Sequence, residues 1–89
     1  LSELQAAIPS LRIVDIGPTS YGQRMRMLVI SSPGNLANLE RLRTISRDLA
    51  RGDCVDAAQA KALAAEGRAF VWIDAGLHST EAIAGQNII

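Results

Sequence analysis

Five consecutive apolar residues, Ala69-Phe70-Val71-Trp72-Ile73, lead into a turn that carries the only histidine of the chain, His78. A segment that is apolar at every position does not suit a strand with one wet face. It suits a central strand covered on both faces, as in an α/β sheet. The run therefore predicts a buried strand, with Asp74 to Leu77 as its exit loop. A helix is expected next, capped by Ser79 or Thr80, starting near Glu81 and still continuing at Ile89.

The rest of the chain supplies elements around that strand. Ser2 to Ala7 reads as a short helix stopped by Pro9. Leu11-Arg12-Ile13-Val14-Asp15-Ile16 is rich in β-branched residues and reads as a strand. Arg24 to Ile30 reads as a second, and the loop Gly17 to Gly22 between them predicts an antiparallel hairpin. Ser32 and Pro33 fit the cap and first turn of a helix, with Asn35 as the alternative cap. Leu36, Leu39, Leu42, Ile45 and Leu49 fall near one face of that helix.

Arg43, Arg47 and Arg51 recur every four residues on another face, which reads as solvated surface. Glu40 is placed to pair with Arg43, and Asp48 with Arg51. Gly52 to Val55 is a break. Asp56 and Gln59 then have the form of a capping box, and Gly67 sits where a left-handed C-cap is expected after an alanine-rich helix.

Bulk properties narrow the classes of function. A chain of 89 residues makes at most one small domain with a limited core. It starts on Leu1 and stops on Gln86-Asn87-Ile88-Ile89 inside a helix-like pattern, so residues 1–89 are expected to be a single incomplete domain of a longer protein. Nine basic residues balance nine acidic ones. There is no electrostatic argument for nucleic acid or an anionic membrane as partner. Aromatic content of 3% also leaves out a base-stacking platform. Cys54 is alone, which excludes an internal disulfide, and no apolar run is long enough to span a bilayer.

The chemistry lies at the end of the apolar run. Open α/β sheets bind ligands beyond the carboxyl ends of their strands. His78 and, three residues on, Glu81 stand at such an end. Imidazole nitrogen and carboxylate oxygen are both zinc ligands, at roughly 2.0–2.2 Å, and a catalytic zinc typically has three protein ligands. The chain has no second histidine to complete that set. The spacing also has a bland explanation, with His closing a strand and Glu favouring a helix N-terminus.

Two stretches go further. Val71-Trp72-Ile73-Asp74-Ala75-Gly76-Leu77-His78-Ser79-Thr80-Glu81 resembles the first zinc motif of carboxypeptidase A/B-like zinc carboxypeptidases, a strand leading through Gly to His-x-x-Glu. Upstream, Ile16-Gly17-Pro18-Thr19-Ser20-Tyr21-Gly22-Gln23-Arg24-Met25 is similar to that family's turn of Ile-Gly, Ser, Gly-Arg and an apolar residue, followed by the strand Met27 to Ser31.

The resemblance covers nearly the whole chain but only the opening part of the family's catalytic domain. It implies a mixed-sheet α/β/α fold entered by an antiparallel hairpin, a helical insertion, a central strand and a helix. It implies a metallocarboxypeptidase that hydrolyses C-terminal peptide bonds with a zinc-activated water, the substrate being a peptide or protein C-terminus. It makes His78 and Glu81 the first two zinc ligands, with no catalytic residue in this segment. The third ligand, the general base and the carboxylate-binding arginines belong to later sequence, so these 89 residues are expected to be inactive alone. A secreted or periplasmic location is implied on the same ground.

There are departures from the family pattern. The segment from about Pro33 to Gly67 is longer than the connection in the digestive enzymes. The loop at Gly17-Pro18 carries an extra residue, and Ala82 replaces the usual Trp after Glu81. A zinc deacylase of the aspartoacylase or desuccinylase kind, with which Gly85 is compatible, and a non-catalytic homologous domain are the other readings.

Overall fold

The computed structural model describes residues 2–52 and 56–84. Cys54 and the expected course of the last helix from Gly85 to Ile89 lie outside them. Six elements follow in order: α1 (Ser2–Ala7), β1 (Leu11–Pro18), β2 (Arg24–Ile30), α2 (Pro33–Ala37), α3 (Leu39–Arg51) and α4 (Ala57–Glu66). The α/β class, the hairpin and the helical insertion are as the sequence predicts.

β1 and β2 pair antiparallel, from Leu11 opposite Ile30 to Asp15 opposite Arg26, and again at Pro18 opposite Arg24. Between the last two pairs β1 has two residues, Ile16 and Gly17, against one in β2, Met25. This is a β-bulge. The Gly17 amide donates to Asp15 Oδ1 at 2.9 Å, and Arg24 Nη1 reaches Asp15 Oδ2 at 3.0 Å, so one carboxylate bridges the bulge to the facing strand. On the free edge of β1, the Ile13 amide donates to Gln5 Oε1 at 2.7 Å. α1 thereby occupies part of an edge that would otherwise present unpaired backbone.

The helical insertion forms because its ends are capped. The Ser32 side chain accepts from the Asn35 amide at the start of α2, with Pro33 in the first turn. Where the sequence predicts one helix through this region, the structure has two, broken at Asn38, which sits at φ −100° and ψ 16°. Asparagine competes for backbone hydrogen bonds and is a weak helix former. α4 opens with the predicted capping box: Asp56 Oδ1 accepts from the Gln59 amide at 2.8 Å and Gln59 Oε1 accepts from the Asp56 amide at 3.1 Å.

The core is small. Leu36, Leu42 and Ile45 from the predicted face are buried together with Leu11, and Ile45 is 1% exposed. Leu39 and Leu49 are half-buried. The Cα radius of gyration is 16.4 Å, against about 12 Å for a compact domain of this length.

Two further expectations are corrected. Gly67 is not a left-handed cap; its backbone is extended, at φ −64° and ψ 174°. What requires glycine there is contact, since a Cβ would come within 3.0 Å of both Ile45 Cγ2 and the Leu63 carbonyl oxygen. The left-handed cap falls instead at Gly52, closing α3.

The larger correction is the central strand. Residues 69–77 form no strand, and Phe70, Val71, Trp72 and Ile73 are 51%, 82%, 68% and 74% exposed. A strand that is apolar on both faces forms only against neighbouring strands and covering helices. Among the described residues the sheet is β1 and β2 alone.

Candidate metal centre

The exposed run leads through Gly76, at φ +78°, into the segment that holds His78 and Glu81. The next turn is closed by backbone bonds from the Glu81 amide to the His78 carbonyl, 3.1 Å, and from the Ala84 amide to the Glu81 carbonyl, 3.2 Å. Glu81 then reaches back to the chain. Its Oε2 accepts from the His78 amide at 3.3 Å, and its Oε1 lies 2.7 Å from His78 Nδ1.

A carboxylate three residues on that bonds the amide of the capping position is one half of a capping box. The turn therefore closes on His78, where the sequence alone predicts a cap at Ser79 or Thr80, and residues 82–83 form a turn where it predicts the start of a helix. The physical reason is reach. A glutamate side chain spans the three residues back to His78, where it meets a backbone donor and a ring donor together.

The electrostatics follow from those contacts. The His78 ring hydrogen bond, and secondarily the His78 backbone amide, hold the Glu81 carboxyl below the usual carboxylate range. With the carboxylate ionised, the Nδ1–H of His78 donates to Oε1, a charge-assisted bond of ordinary length. Both side chains are open to solvent, His78 at 70% and Glu81 at 42%.

The structure brings together both residues that the sequence singled out. Among the described residues no group of three His, Cys, Asp or Glu side chains is placed to hold a metal. The donor chemistry fits zinc as far as it goes: one imidazole nitrogen and one carboxylate oxygen face each other across a single proton. Two concavities, of about 330 and 260 Å³, lie along α3 and include neither residue. Arg43 and Arg47, which line the first, are occupied by Glu40 at 2.9 Å and Asp48 at 3.6 Å. The arginine stripe is solvated surface, as its periodicity indicates.

The zinc carboxypeptidase family model matches residues 1–89, the whole chain. No curated protein and no solved structure matches it. The hairpin, the helices and the His-x-x-Glu turn thus carry a sequence pattern recognised from end to end, and the chain belongs to the zinc carboxypeptidase family.

Proposed function

We propose that residues 1–89 are one incomplete domain, the opening part of the catalytic domain of a metallocarboxypeptidase that acts on peptide or protein C-termini. Within it, His78 and Glu81 are two of the zinc ligands. The observation that carries this reading is the 2.7 Å approach of His78 Nδ1 to Glu81 Oε1, in a chain that the zinc carboxypeptidase family matches throughout.

Zinc held there supplies Lewis acidity toward a scissile carbonyl and a lowered pKa for water. The chain's own residues have narrower tasks. His78 offers an imidazole nitrogen on the side that faces the carboxylate. Glu81 offers an anionic oxygen, held by the His78 backbone amide, and the metal would take the place of the proton on His78 Nδ1. The turn holds both on an exposed surface. The third ligand, the general base and the groups that hold the substrate carboxylate are contributed by polypeptide outside this segment, so the segment alone has no peptidase activity.

The test uses the longer polypeptide that contains this segment, assayed for release of C-terminal amino acids and for bound zinc. His78→Ala and Glu81→Ala are expected to lose both. Retention of zinc and activity in either variant overturns the assignment. Hydrolysis of N-acyl amino acids with no release from peptides replaces the peptidase reading with the deacylase one.

A further inference from the structure

We infer that Gly76 is the positioning residue of the His78–Glu81 pair, and that the pair is assembled by a self-closing turn over residues 76–84 and not by the strand before it. The inference rests on the reading of His78 and Glu81 as zinc ligands, and concerns how they come to face each other.

Four contacts define the turn, and each is local. Glu81 and Ala84 donate backbone hydrogen bonds to His78 and Glu81 respectively, and the Glu81 carboxylate binds both the amide and the ring of His78. They join His78, Glu81 and Ala84 to one another, and the Leu77 backbone also bonds the Glu81 carboxylate. The preceding run, Phe70 to Ile73, is exposed and forms no strand, so no sheet holds the approach to the turn. What remains to set the direction of entry is the backbone at Gly76.

That backbone is left-handed, with φ +78°, a conformation in which the Cβ of an L-residue crowds the following carbonyl. Space is not the constraint. A Cβ built at position 76 would lie 3.7 Å from Ala84 Cβ and 3.8 Å from the Glu81 carbonyl oxygen, both ordinary contacts. These distances also place position 76 directly against the far end of the turn. The chain enters at Gly76, runs through His78 and Glu81, and returns to Gly76 at Ala84. The metal-binding pair is therefore preorganised by nine residues, ahead of any assembly of the sheet around it.

The experiment compares three versions of the full 89-residue chain made by chemical ligation: the natural one, Gly76→Ala, and one with D-alanine at position 76. D-alanine favours positive φ and turns only a hydrogen toward Ala84. The first readout, in metal-free chain, is the ratio of closed to open turn, from the nuclear Overhauser contact between residue 76 and the Ala84 methyl. The second is the zinc dissociation constant.

Gly76→Ala is expected to lower the closed-to-open ratio by roughly five- to thirtyfold and to weaken zinc binding by the measured fall in the closed fraction. D-alanine restores both, and the α3 and α4 resonances stay unchanged in all three chains. An unchanged ratio in Gly76→Ala, or an equal loss with D- and L-alanine, overturns the inference. A closed fraction that falls as predicted while zinc binding does not follow it leaves the turn standing and sinks the ligand reading.

Discussion

Arg41 and Glu66, twenty-five residues apart, meet fork to fork: Arg41 Nε and Nη2 each donate to one oxygen of the Glu66 carboxylate at 2.8 Å. The pair joins the first turn of α3 to the last residue of α4. Arg68 adds to the same corner by donating to the carbonyls of Glu66 and Gly67.

The hydrogen bond from Arg41 holds the Glu66 carboxyl below its ordinary range. Because the folded value is lower than the unfolded one, the pair's contribution is fully present above the ordinary carboxylate range. It is lost as pH falls through the lowered folded value. Carboxyl carbon NMR should show Glu66 titrating below the ordinary carboxylate range, and Arg41→Gln should raise it. Both groups are open to water, so the change in thermal midpoint at neutral pH should be small.

Ile45 is the most buried side chain described. Ile45→Ala should cost about 2–5 kcal/mol, read from urea unfolding followed by helical circular dichroism. The half-buried Leu49 should cost less on the same change. Equal losses at the two positions would show that the core is not centred on Ile45.

Gly67→Ala forces a methyl group to within 3.0 Å of Ile45 Cγ2 and of the Leu63 carbonyl oxygen. One of those neighbours is backbone and cannot step aside without opening the last turn of α4. Overpacking of this kind costs about 1–3 kcal/mol. A left-handed cap at Gly67 would instead have predicted that asparagine is tolerated there. Comparing Gly67→Asn with Gly67→Ala separates the two accounts, since close contact penalises both.

These positions show where the sequence was readable. The hairpin, the Ser32 cap and the Asp56–Gln59 box depend on residues a few positions apart, and their chemistry is visible in a short window. Gly67 misled because a glycine at a helix end has two uses, and only the approach of Ile45 from another helix tells them apart. The Arg41–Glu66 pair left no local signal, because it exists only once α3 and α4 have packed. The His78–Glu81 contact was legible as a three-residue spacing, whereas the bond of Glu81 back to the His78 amide was not. The run from Ala69 to Ile73 was read as a central strand from its composition. Composition states what cover a segment needs, and the described residues do not supply it.

Trp72 is the only tryptophan of the chain and is 68% exposed. Its fluorescence should be red-shifted and readily quenched by acrylamide in the 89-residue chain. If residues 1–89 open a larger domain, as proposed, a central strand over Ala69 to Ile73 in that domain should shift the emission to the blue and shield it. Emission already blue and shielded in the short chain would mean that the run has found cover within these residues.

The central claim is that this turn is half of a zinc site, and direct zinc titration of the 89-residue chain beside its His78→Ala variant tests it most closely. A metal bound by both His78 and Glu81 displaces the proton between them, so affinity should rise with pH. The account predicts weak binding by the natural chain, strengthening as pH rises and abolished by His78→Ala. Tight stoichiometric binding by the short chain, or equal binding by the variant, would contradict it.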